Sequence, residues 1–174
     1  MSIRPFRIDI PAAAIDDLYR RIDDARWPSD MNLDADDPWS YGTPVDYLRQ
    51  LADYWRHGFD WRAAEARINR FDQYLAEIDG RDVHFIHQRS PHADATPLLM
   101  VHGWPGSIVE FLEVIPRLTE PEKFGGNSED AFHVICPSLP GYGFSAAALE
   151  RGVAPRRIAE SHAALMAVRG YDRF

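Results

Sequence analysis

The run that most constrains the fold is Pro97-Leu98-Leu99-Met100-Val101-His102-Gly103-Trp104-Pro105-Gly106-Ser107. Leu98 to Val101 form a short apolar segment of the kind a parallel sheet buries on both faces. After His102, two glycines and a proline stop the strand ladder. Ser107 and Glu110 then stand in capping-box register, with Ile108, Phe111, Leu112 and Ile115 on one helical face behind them. A strand, a rigid turn and a helix in that order leave backbone N–H groups unpaired at the carboxyl end of the strand. Open α/β sheets place their ligands there.

The rest of the chain supplies a sheet for that strand. Phe71–Ile78 and Val83–His87 flank Asp79-Gly80, the strongest short hairpin signal. A strand at 97–101 follows, then a helix at 107–115 that Pro116 ends or kinks, a strand at 132–136, and a helix at 155–169 capped by Gly170. A hairpin followed by alternating strand and helix predicts an α/β fold with a mostly parallel sheet covered on both faces. The loop Pro137 to Ser145 lies past a strand's carboxyl end, on the same rim as residues 102–107.

Upstream the pattern is helical. Arg4 to Ile10 reads as an extended segment, and Pro11 fits a first helical position. Ile15, Leu18, Tyr19 and Ile22 form an amphipathic stripe that ends near Arg26. Residues 29–42, with Asp30, Asp34, Asp36 and Asp37, form a polar loop that Trp39 and Tyr41 are expected to pin. Thr43 and Pro44 read as N-cap and first residue of a second helix, with Val45, Leu48, Ala52 and Trp55 on one face and Gly58 as its stop. Asp60 caps a short helix at 61–68. The chain therefore divides into a helical region, 1–70, and a sheet region, 71–174.

Charge and composition exclude several function classes. The net charge of −8 argues against nucleic acid or an anionic membrane as partner, because both need clustered Lys and Arg. No apolar run approaches the ~20 residues a membrane span needs, and Met1 to Pro11 lack the apolar core of a signal peptide. A cytoplasmic location is the expectation. Cys136 is the only cysteine, so no internal disulfide and no thiolate metal cage can form. His84 and His87 point to opposite faces of one strand and cannot converge on a metal with His92. They read as strand-surface or hydrogen-bonded histidines, and neither metal nor cofactor is expected. Gly143-Phe144-Ser145 nearly matches a serine nucleophile elbow, but Pro140, Gly141 and Gly143 place Ser145 in mid-loop rather than between strand and helix. Asp46, Asp53 and Asp60 read as caps or solvated face.

Taken in order, these segments resemble the N-terminal part of a microsomal-type epoxide hydrolase. The resemblance rests on Arg26-Trp27-Pro28, Leu51 to Trp55, Phe59 to Arg62, Ile78-Asp79-Gly80 and His84 to Ser90. Its most diagnostic pair is His102 to Ser107 with Pro137 to Ser145, and the match spans nearly all of the chain. It implies an incomplete α/β-hydrolase fold, an N-terminal hairpin then parallel strands with helices, preceded by a helical wrap region. In this family an Asp nucleophile on a strand-to-helix elbow opens the epoxide to give an ester. A His–acid pair then activates water to hydrolyse that ester, while two cap tyrosines polarise the epoxide oxygen. The tetrahedral intermediate carries negative charge, which two backbone N–H donors stabilise, one from the loop after the third strand and one after the nucleophile.

By that resemblance the first donor is the Trp104 N–H. His102, Gly103, Pro105 and Gly106 shape its loop, with a cis bond expected at Pro105 and the Trp104 indole facing the substrate pocket. Tyr142 and Phe144 either line that pocket or anchor their own loop. The nucleophile elbow, cap tyrosines, catalytic acid and catalytic His find no counterpart in these residues, so the chain alone is expected to be inactive. Its rival reading is a non-catalytic remnant or a module that pairs with a second chain, or with itself, through an exposed sheet edge at 97–101. Haloalkane dehalogenase-type chemistry is a weaker alternative, because that family is not expected to carry the N-terminal region.

Overall fold

The computed structural model describes residues 2–29, 36–148 and 151–174, so part of the expected 29–42 loop lies outside them. The chain forms two compact units, Asp9–Glu65 and a second made of Met1–Ile8 with Ala66–Phe174. The segment Met1–Ile8 groups with the sheet because Ile3–Phe6 pairs with Gln73–Ala76.

The unit Asp9–Glu65 is helical. Helix α1 is Ala12–Asp23 and α2 is Val45–Asp53, which runs into a π-helical turn at Tyr54–Gly58. Pro11 and Pro44 hold ψ of 139° and 141°, so each is the extended residue before its helix and not the first helical one. Neither helix start has a side-chain cap, and the Thr43 cap expected from sequence is not formed. Within this unit Arg56 bonds Asp23 at 3.0 Å and lies over the Tyr19 ring. The loop before α2 is pinned by Trp39 packed on Tyr47, whereas Tyr41 is largely exposed. Asp60 does cap α3, Trp61–Ile68, accepting the Ala63 N–H at 2.9 Å. Asp46 pairs with Arg49 and Asp53 with His57 on the surface.

The second unit is built on a five-stranded sheet. Its strands are β1 Ile3–Phe6, β2 Gln73–Ile78, β3 Arg81–Gln88, β4 Thr96–Leu99 and β5 Phe132–Pro137, in the order β1-β2-β3-β5-β4. Asp79 and Gly80 turn between β2 and β3 with φ of 51° and 72°, the two positive values a type I′ hairpin requires. The expected mostly parallel sheet is not what forms. Only β4 and β5 pair parallel, while β1–β2, β2–β3 and β3–β5 are antiparallel. Parallel neighbours need a crossover, and among these strands only the β4-to-β5 segment supplies one.

Both faces of the sheet are covered, as the pattern predicts. On one face Ala76, Ile78, Val83, Phe85 and Ile135 pack against Leu165 and Met166 of α5, Pro155–Val168. On the other, Ile86, Val134 and Cys136 pack against Ile108, Leu112 and Ile115. Strands β3 and β5 are buried on both faces: Phe85 and Ile135 reach one core, and Ile86, Val134 and Cys136 the other. Strand β4 lies at the sheet edge, matching the exposed edge expected at 97–101; Leu98 and Leu99 pack against opposite cores, while Val101 is 43% exposed.

The segment after β4 also departs from a single helix. Ile108–Phe111 is a 3₁₀ turn, and a short helix α4, Ile115–Thr119, follows with Pro116 in its first turn. Pro116 has no N–H, and its ring would meet the carbonyl of residue 112, so one α-helix cannot run through. The expected apolar face survives the break, because Ile108, Leu112 and Ile115 are all buried. Helix α5 ends in a Schellman motif around Gly170, with the Gly170 N–H on the Ala167 carbonyl and the Tyr171 N–H on that of Met166.

Candidate functional site

Two loops meet on one rim of the sheet, at the carboxyl ends of β4 and β5. The first, residues 102–107, is built from the capping box outward. The Ser107 hydroxyl accepts the Val109 N–H, and the Glu110 carboxylate accepts the Ser107 N–H at 3.0 Å. A Cβ at Gly106 would stand 1.9 Å from Glu110 Oε1 and 3.0 Å from the Gly103 carbonyl, so a side chain there would displace the capping carboxylate. The Trp104–Pro105 bond is cis, as expected. The Trp104 side chain is 81% exposed, and among the described residues its backbone N–H has no acceptor.

The second loop, residues 138–145, is closed by serines. The Ser138 N–H donates to the His84 carbonyl at 2.8 Å, the His84 N–H donates to Ser145 Oγ at 2.9 Å, and the Ser145 hydroxyl donates to the Ser138 carbonyl at 2.8 Å. Both hydrogen-bonding directions of Ser145 Oγ are thereby used, consistent with a structural serine and not a nucleophile. Gly143 has φ of 52° and a Cβ there would stand 2.9 Å from Ser138 Oγ, so the loop closes this tightly only with glycine.

His102 joins the two loops. It is buried, its Nε2 accepts the Leu139 N–H at 3.1 Å and its Nδ1 lies 3.0 Å from the Gly103 carbonyl. Tyr142 packs on the His102 ring and Phe144 packs on Phe6 and His84, so both aromatics have anchoring partners. Three residues that sequence reasoning did not place at the site, His84, Ser138 and Ser145, organise the second loop. Their only sequence signal is a serine at each end of the Pro/Gly-rich stretch.

The other histidines have structural partners. His84 and His87 do lie on opposite faces, but neither is at the surface: both are buried, which corrects the surface half of the expectation. Burial pushes the His84 imidazole down to about 4. Burial, helped by the cations Arg169 and Arg89 and by His133, pushes His87 to about 3. His87 accepts from Arg169 Nε at 2.9 Å and bonds the Tyr171 hydroxyl at 3.0 Å. His92 is paired with Glu122 at 3.1 Å. Among the described residues no group of three or more His, Cys, Asp or Glu is arranged to hold a metal ion, and no helix is long and apolar enough to cross a membrane.

Comparison with known proteins gives one answer. The family described as epoxide hydrolase N terminus matches residues 3–111, and that described as alpha/beta hydrolase fold matches residues 96–171. A putative epoxide hydrolase of Stigmatella aurantiaca is 49% identical over 99% of this chain and 39% of its own length. Epoxide hydrolase 1 of Sus scrofa is 40% identical over 99% of this chain and 38% of its own. The crystal structure of juvenile hormone epoxide hydrolase from Bombyx mori superposes with a TM-score of 0.88 at 33% identity, covering 99% of this chain and 40% of that one. The chain thus spans about two-fifths of the length of the curated relatives it matches. Sheet, rim loops and sequence agree, and the chain belongs to the epoxide hydrolase family, as its N-terminal region running into the first part of an α/β-hydrolase fold.

Proposed function

We propose that this chain carries one arm of the oxyanion hole of an epoxide hydrolase, converting an epoxide to a vicinal diol through an Asp ester. The donor is the backbone N–H of Trp104. His102, Gly103, Pro105 and Gly106 hold its loop, and Trp104, Tyr142 and Phe144 border the substrate. A backbone donor that is already oriented stabilises the charge of the tetrahedral intermediate without reorganising as it forms. The observation that supports this reading is the free Trp104 N–H, held on the rim by a buried histidine. The nucleophile, the acid–His pair and the cap tyrosines have no matching motif in this chain, so residues 1–174 alone are inactive. The test is incubation of purified chain with styrene oxide or cis-stilbene oxide. No diol is expected. Turnover that is abolished by changing a residue of this chain would overturn the assignment.

A second reading, a module that completes itself with another chain or another copy, draws on one observation. Strand β4 is an edge, and beside it a groove of about 500 Å³ is lined by Leu99, Val101, Leu139, Ile158, Ala163 and Phe174. An uncovered apolar edge recruits a further strand or self-associates. Sedimentation of the purified chain distinguishes the outcomes: association that Val101→Lys suppresses favours this reading, and a monodisperse, cooperatively melting monomer overturns it.

A further inference from the structure

The polar groups of His84 and His102 are so completely used that the direction of each hydrogen bond can be assigned. The side-chain nitrogen of Gln73 donates to the Ile68 carbonyl and to Asn69 Oδ1, both at 3.2 Å. That leaves Gln73 Oε1 as acceptor toward His84 Nε2, 3.1 Å away, so Nε2 carries the proton. His84 Nδ1 is then the bare nitrogen, and it accepts the Ser138 hydroxyl at 2.9 Å. His102 is the reverse case. Its Nε2 accepts a backbone N–H, from Leu139, and so must be bare, which leaves the proton on Nδ1, donating to the Gly103 carbonyl.

That last bond bears directly on the site. The Gly103 carbonyl and the Trp104 N–H belong to one planar trans peptide and point in opposite directions. Fixing the carbonyl fixes the line along which the N–H is aimed. Ser138, held by His84, and Leu139, held by His102, are consecutive residues, so the constraint on one passes through a single peptide to the other. Both rings are buried, as is Ser138. A proton added to either bare nitrogen would expel its donor.

We infer that His84 and His102, held neutral as opposite tautomers, are positioning residues that couple strand β3 through Ser138 and Leu139 to the peptide presenting the Trp104 N–H. The assignment rests on the reading of that N–H as an oxyanion donor. It adds residues on β3 and at the start of the second loop that aim the donor without touching substrate.

The test uses ¹⁵N-labelled chain at neutral pH. Long-range ¹⁵N–¹H spectra of the histidine rings should show His84 protonated at Nε2 and His102 at Nδ1. Finding His102 as the Nε2–H tautomer overturns the relay in the unaltered protein, whatever the variants do. Ser138→Ala should shift the Trp104 amide resonance and speed exchange of the Leu139 amide about fivefold, the worth of one neutral hydrogen bond. Ser161→Ala, a buried serine of α5 outside the relay, should do neither. A folded Ser138→Ala protein with the Trp104 amide unmoved also overturns it. No substrate enters these readouts, so their failure is separate from a failure of the oxyanion assignment.

Discussion

Acidification from pH 7 to pH 5 should cost this protein several kcal/mol of stability, through histidines that its core keeps uncharged. His84 is held down at about 4 by burial, and His87 at about 3 by burial with Arg169 and Arg89 nearby, against 6.5 for an unburied imidazole. Below pH 6.5 the unfolded chain binds a proton at each, while the native protein does not until its own lower value is reached. Stability is therefore full above pH 6.5 and falls as the pH drops toward 4 for His84 and toward 3 for His87. At pH 5 each residue costs about 2 kcal/mol, so the pair removes about 4 kcal/mol from a folding free energy that is ordinarily about 5–15 kcal/mol. Burial lowers His133 and His162 as well, which adds to the loss in the same direction. Urea denaturation followed by far-UV circular dichroism in steps from pH 7.5 to 5 measures it. The slope near pH 5 should reach at least about 2.5 kcal/mol per pH unit. His84→Gln should lower it by about 1.2 kcal/mol per unit. The His84 ring proton in the unaltered chain should titrate near 4 by NMR. A flat stability between pH 7 and 5, or a slope that His84→Gln leaves unchanged, would refute the argument.

Further predictions concern the core, the capped turn and the thiol. Phe85→Ala empties a fully buried site between the sheet and α5 and should cost about 3–5 kcal/mol by denaturant unfolding. Ser107→Ala removes the capping hydroxyl and should cost about 1 kcal/mol, with faster exchange of the Val109 amide. Burial pushes the Cys136 thiol up to about 12, so iodoacetamide should label it only as fast as the chain unfolds. Rapid labelling of native protein would contradict that burial.

The candidate site was partly legible from residues 102–107, because each cue there is local. Ser107 and Glu110 form the box their spacing predicts, and Pro105 adopts the expected cis bond. The same holds for Asp79-Gly80, whose left-handed backbone needs no distant partner. The helix expected at 107–115 forms only as a 3₁₀ turn at Ile108–Phe111, and Pro116, expected to end or kink it, sits in the first turn of α4.

The strand order and the contacts of the buried histidines depend on partners far along the chain. His84 meets Ser138 and Ser145 across 54 and 61 positions, and no periodicity in 83–87 announces either contact. Periodicity likewise could not say which of two apolar strands is central, since 97–101 and 132–136 read alike in isolation. The sheet order places β5 between two neighbours and leaves β4 with one, so the outer backbone edge of β4 stays unpaired among the described residues. By itself the sequence determined the Asp79-Gly80 turn and the Ser107 and Asp60 caps, which sterics and short hydrogen bonds settle within a few residues. The tertiary structure decided the strand order, the edge, and the buried histidines that join the two rim loops, because those follow from pairings between segments that the local pattern does not encode.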